Sequence, residues 1–175
     1  MAMARDSVPV PTTVTDEQPI PVISRSQITW LGDRKFDAGP AGRTHRIDGG
    51  AKEAPGPVET FLGAICACAS VDVIDILAKR RTPIEKLSVD IAADRRPEYP
   101  RRVRQLDLHF RIDGTDIERE PAERAIQLSI ERYCSIAGSL AGDIVMHTLL
   151  TLNGESFPAV RQKFWTPDAP GEEQP

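Results

Sequence analysis

Three cysteines, Cys66, Cys68 and Cys134, are the side chains of this sequence best suited to covalent chemistry. The first two sit in FLGAICACASVDVIDIL, residues 61–77, an almost wholly apolar run. A thiol in such a setting can be a small hydrophobe of the core, a soft-metal ligand or a redox nucleophile. Each use makes its own geometrical demand. If the run is one helix, Cys66 and Cys68 stand about 200° apart around its axis and cannot face one target. A metal shared between them would require the helix to break. The histidines, His45, His109 and His147, occur singly on strand-like segments without zinc-ligand spacing. No metal and no other cofactor is therefore expected, although capture of a soft metal by all three thiols stays open as a reading. Cys134 differs from the other two. It closes a helical pattern and is followed by Ser135 and Gly138, and helix ends are where thiol acidity is tuned and access is available. Facing a thiol of the apolar helix, it would form a redox pair.

The elements that must position these thiols are set by periodicity. Gly56-Pro57 makes a helix start, because proline at the first helical position costs no hydrogen bond. Glu59 in the first turn meets the positive end of the helix dipole. Lys79, Arg80 and Arg81 suit the other end, and Pro83 stops the helix. Apolar residues occupy almost every face from Val58 to Leu77, which predicts a central, buried helix. Before it, SQITWLGDRKFDA and GRTHRIDGG predict an antiparallel pair of strands, divided by Gly39-Pro40. After it, KLSVDIAAD and RVRQLDLHFRID alternate apolar and polar residues, with Leu106, Leu108, Phe110 and Ile112 on one face of the second. PAERAIQLSIERY then sets Ala122, Ala125, Ile126, Ser129, Ile130 and Tyr133 on one helical stripe. Ser135 is a candidate cap for a short turn ending near Gly138, and DIVMHTLLTL predicts a last strand. The class is α+β, an antiparallel sheet packed on helices.

The totals narrow the setting. A chain of 175 residues suits one domain with a core of its own. A net charge of −4 gives no reason to expect nucleic acid or an anionic membrane as partner. Asp72 and Asp75 interrupt the longest apolar run, so no spanning segment is expected, and the first residues lack the apolar segment of a signal peptide. An odd number of irregularly spaced cysteines argues against a secreted disulfide framework and for a reducing, cytoplasmic setting. Residues 1–24, with Pro9, Pro11, Pro19 and Pro21, predict a flexible extension, 25–165 the folded domain, and 166–175 a flexible tail.

GPVETFLGAICACASVDVIDIL, with AERAIQLSIERYCSIAGSL some distance after it, resembles the OsmC/Ohr family, and its YhfA-like branch in particular. Pro57, Cys68, Asp72, Tyr133 and Cys134 fall into that pattern together. The resemblance covers about residues 25–153. It implies an intertwined two-fold homodimer with the long central helix buried between sheets. It implies a thiol peroxidase acting in oxidative stress defence, in which Cys68 attacks an organic hydroperoxide, Cys134 resolves the sulfenic acid as a disulfide, and an external dithiol restores both thiols. Cys66 has no counterpart and is expected to be inert packing. The family's glutamate slot, directly after the proline, holds Val58 here. Glu59 is one step later and nine residues before Cys68, on the opposite face of a regular helix, so its first expected role is to satisfy the helix start. Arg34 is the nearest match to the family arginine, with Arg43 and Arg46 within reach of the same place. Phe61, Leu62, Ile65 and Val71 suggest an apolar wall suited to a greasy peroxide. The alternative function is a non-catalytic member that binds a hydrophobic small molecule at the dimer cleft, and Val58 favours it.

Overall fold

The computed structural model describes residues 22–163. The expectations for the N-terminal extension and the tail therefore fall largely outside the described residues. The order is β1 (Gln27–Trp30), β2 (Lys35–Gly39), β3 (His45–Asp48), α1 (Pro57–Lys79), β4 (Lys86–Arg95), β5 (Val103–Asp113), α2 (Arg119–Leu128), a π turn (Ser129–Tyr133), α3 (Ser135–Gly138), β6 (Val145–Leu152), β7 (Glu155–Ser156) and β8 (Val160–Gln162).

The first sheet has three antiparallel strands, one more than the expected pair. Gly32 and Asp33, at φ +105° and +47°, split SQITWLGDRKFDA into a hairpin that pairs Trp30 with Phe36. Gly39 then bends the chain toward β3. Its φ is +140°, and a Cβ there would stand 2.6 Å from the carbonyl oxygen of Arg43, so no other residue fits without displacement. Past β3, the Asp48 carboxylate accepts the backbone N–H groups of Gly50, Lys52 and Glu53 at 2.7, 3.1 and 3.1 Å. These bonds hold its pKa below the usual carboxylate value and shape the loop that delivers Gly56-Pro57 to the helix.

α1 starts as the sequence predicts. Gly56 is the N-cap and Pro57 the first helical residue, and Glu59 Oε2 accepts the Gly56 N–H at 2.6 Å. It ends at Lys79 with Arg80 as the C-cap, and Arg81 beyond it takes φ +65° while the Thr82 N–H reaches back to the Leu77 carbonyl at 3.1 Å. The expected all-round burial is not reached within one chain. Ile65, Ala69, Val73 and Leu77, spaced by four, form the one fully buried line. Gly63, Ala67, Val71, Ile74 and Ala78 run along another side and are exposed, with 58% of Val71 open to solvent. By length and composition this helix also passes for a spanning segment, despite Asp72 and Asp75. The core helix of a globular protein meets the same two criteria.

The second sheet is mixed, and the expectation of an all-antiparallel sheet needs correction. β4 and β5 are antiparallel, but β6 lies parallel to β5, pairing Leu106 with Met146 and Phe110 with Leu150. Parallel neighbours require a crossover, and α2, the π turn and α3 are that crossover. β7 and β8, short strands that the sequence patterns do not mark, pair antiparallel with β6. The core lies between this sheet and the helices, with Leu106, Leu108, Phe110 and Ile112 meeting Ile65, Val73 and Leu77 in one cluster.

Candidate active site

Cys68 lies mid-way along α1, one residue before buried Ala69, and is half-buried. Cys134 comes directly after the π turn and is 3% exposed. The two thiols are neighbours and are not covalently joined. Burial first, then interaction with the Cys68 sulfur, pushes the Cys134 thiol up from 9.0 to about 12. Cys134 therefore keeps its proton throughout the neutral range, and a Cys68 thiolate beside it would be a partner for that S–H.

That elevation sets a pH dependence. Between pH 9 and 12 the unfolded chain loses this proton while the folded chain retains it, so stability falls as pH rises through that window and is unaffected below it. Denaturant midpoints measured from pH 8 upward should thus decline less steeply in Cys134→Ser than in the parent. Parallel curves would place the acidity of this thiol elsewhere.

The local backbone at Cys134 departs from the sequence reading in two ways. The stripe of α2 buries Ala122, Ala125, Ile126, Ser129 and Ile130 as expected, but Tyr133 is turned outward and 52% exposed. Its phase is lost because the last turn is a π turn. The Cys134 N–H bonds to the Ser129 carbonyl at 2.7 Å, five residues back, and the extra residue rotates the chain beyond it. Second, the cap of α3 is Cys134 and not Ser135: the Cys134 sulfur accepts the Ala137 N–H at 3.4 Å. A shallow cleft of about 250 Å³, lined by Arg132, Tyr133, Cys134, Ser135 and Ser139 among others, opens beside this corner.

Cys66 points elsewhere, as the 200° argument requires. Burial, then the Asp90 carboxylate of β4, raises its pKa, which leaves it a poorly nucleophilic thiol against the sheet. Among the described residues, no group of three or more His, Cys, Asp or Glu side chains gathers around a point that would hold a metal. Glu59 is committed to the N-terminal cap of α1. The Arg34 side chain runs along the Gly49-Gly50 turn, its Cβ 3.2 Å from where a Gly49 side chain would start. Arg46 pairs with Asp37 at 2.6 Å on the first sheet. Ile65 cannot belong to an apolar wall of a site, because it is wholly buried in the core, whereas Phe61 and Val71 are exposed. Ser129 is a site component that sequence reasoning misses. In the sequence it is one position of an apolar stripe, yet its hydroxyl meets α1 at the Ala69 carbonyl and the Asp72 carboxylate, 3.0 and 3.2 Å away. A serine on an otherwise apolar stripe is the available signal.

Residues 49–148, spanning α1, both strands of the β4–β5 hairpin and the crossover with its thiol, match the model of the OsmC-like protein family. The chain belongs to the OsmC-like family. Protein YhfA of Escherichia coli (strain K12) is 34% identical over 116 residues, which are 65% of this chain and 86% of that protein. The crystal structure of an OsmC-like protein from Mycoplasma pneumoniae superposes with a TM-score of 0.67 at 16% identity, over 76% of this chain and 99% of that one. The organic hydroperoxide resistance protein OhrB of Bacillus subtilis superposes with a TM-score of 0.51 at 14% identity, over 74% and 98% of the two chains. At those identities the two structures establish the OsmC-like fold, and YhfA establishes kinship.

Proposed function

We propose that this OsmC-like protein is a thiol-dependent peroxidase that reduces organic hydroperoxides through Cys68 and Cys134. The carrying observation is the neighbourhood of the two sulfurs, one on the apolar helix and one at the crossover. Naming of an OsmC-like relative for organic hydroperoxide resistance supports the substrate class. In the first step the Cys68 thiolate attacks the distal oxygen of R–O–O–H. The O–O bond breaks, a Cys68 sulfenic acid forms, and the alkoxide takes a proton to leave as the alcohol. In the second step the Cys134 thiol displaces water from that sulfenic acid, giving a Cys68–Cys134 disulfide. An external dithiol then reduces the disulfide and is itself oxidised.

Exposure and charge set the order of roles. Cys68 is the more exposed sulfur, and Cys134, held protonated first by burial and then by its contact with Cys68, is the one kept back for the second step. Cys134→Ser should therefore leave a Cys68 sulfenic acid that dimedone traps after one equivalent of peroxide, while the parent gives little adduct. A parent and variant that label equally, or an adduct on Cys66, would reverse the assignment. The exposed line Gly63, Ala67, Val71, Ile74 and Ala78 supports a homodimer, since a second copy would cover it. Free thiols in the described residues suit a reducing cytoplasm.

A second reading is favoured by the start of α1. Val58 stands in the family's glutamate slot and Glu59 is engaged in the cap, so a carboxylate partner for the thiol is not supplied by these two positions. The chain would then be a non-catalytic module holding a hydrophobic small molecule at the dimer cleft. Peroxide consumption in the presence of a dithiol separates the two.

A further inference from the structure

Ser129 is wholly buried at the contact between the crossover and α1. A hydroxyl in such a place destabilises the fold unless it is hydrogen-bonded. Its single proton faces two acceptors, the Ala69 carbonyl at 3.0 Å and Asp72 Oδ2 at 3.2 Å. Both lie on α1 beside Cys68: Ala69 is the next residue, and Asp72 lies one turn on. At its other end, the Ser129 carbonyl accepts the N–H of Cys134 at 2.7 Å and so closes the π turn. One residue is thus tied by its side chain to the helix of the first thiol and by its main chain to the second.

We propose that Ser129 is a positioning residue, which sets the approach of the Cys134 sulfur to Cys68 through its hydroxyl contact with Ala69 and Asp72. The inference deepens the peroxidase reading and rests on it for the use made of the disulfide. The alternative it prevents is specific. Were the turn to relax to α-helical geometry, the Cys134 N–H would bond to Ile130 instead, and Cys134 would swing by about 100° around the helix axis. π turns are rare and occur often at functional sites. Here the contact maintaining the turn is the buried hydroxyl.

The test measures the thiol–disulfide equilibrium of the full chain in mixtures of reduced and oxidised glutathione, with Cys66 replaced by serine throughout. That constant reports how well the folded protein presents one sulfur to the other, and it requires no peroxide. Ser129→Ala should lower it about tenfold, the effect of one buried hydrogen bond. Ser129→Thr, which keeps the hydroxyl, should restore most of the loss. Thr148→Val removes a buried hydroxyl contact of the β6–β8 side, to Gln162 at 2.5 Å. It should lower thermal stability and leave the constant unchanged. If Ser129→Ala keeps the parent's constant and loses only stability, as Thr148→Val does, the positioning role is overturned. A parent that forms no Cys68–Cys134 disulfide in these mixtures overturns it as well. A parent that forms the disulfide but consumes no hydroperoxide, with the tenfold effect intact, upholds the positioning and overturns the peroxidase.

Discussion

Cys68→Ser should abolish the proposed dithiol-dependent consumption of an organic hydroperoxide, with a loss on the order of a thousandfold or more, because removal of a nucleophile leaves only background reaction. The parent, Cys66→Ser and Cys68→Ser are compared by peroxide disappearance under one reductant. Cys66→Ser should retain the parent's rate, since burial and then the Asp90 charge raise the pKa of its thiol and leave it a poor nucleophile. Comparable turnover in Cys68→Ser and the parent would end the peroxidase reading. Equal losses in both single variants would mean that the two α1 thiols act together, which a regular helix does not permit.

The second large effect concerns association. In the proposed homodimer, Val71→Asp should weaken self-association by on the order of a hundredfold or more and leave monomers, because an unpaired carboxylate would be buried at the contact. Val71 lies at the middle of the exposed line on α1, and its neighbours Ala67 and Ile74 are exposed with it. Sedimentation velocity across a concentration series reads the result directly. A parent that is monomeric at every concentration, or a variant that dimerises as well as the parent, would remove this face as the interface. A phenylalanine core position makes the contrast. Phe110→Ala would act on folding and not on association, since Phe110 is wholly buried within one chain.

Much of the frame is legible because single-chain packing writes itself into periodicity. The alternation of Leu106, Leu108, Phe110 and Ile112 gives β5 its buried face, and proline at 57 with the basic residues up to Arg81 marks both ends of α1. The parallel pairing of β5 with β6 is also written there, as strand, helix and strand in succession, a cue that an antiparallel reading passes over. The site is legible only in part. The 200° separation of Cys66 and Cys68 correctly sends them to different environments. The π turn is not legible, because one additional residue in a helical turn leaves the apolar spacing unchanged up to Ile130 and shifts only Tyr133. Ser129 is hidden for the same reason: spacing tells where a residue faces, but not that its hydroxyl finds Ala69 and Asp72, 60 and 57 residues before it in the chain.

The sulfur of Cys134 has a second employment, at the head of α3. A helix of four residues is far below the length that sustains itself in water, so it depends on its surroundings and on the contacts at its start, the Ala137 N–H on the Cys134 sulfur among them. Bond formation at the same atom would thus be felt by the main chain from Ser135 to Gly138. In the proposed oxidised state one sulfur would serve both the disulfide and the head of the segment that leads to β6.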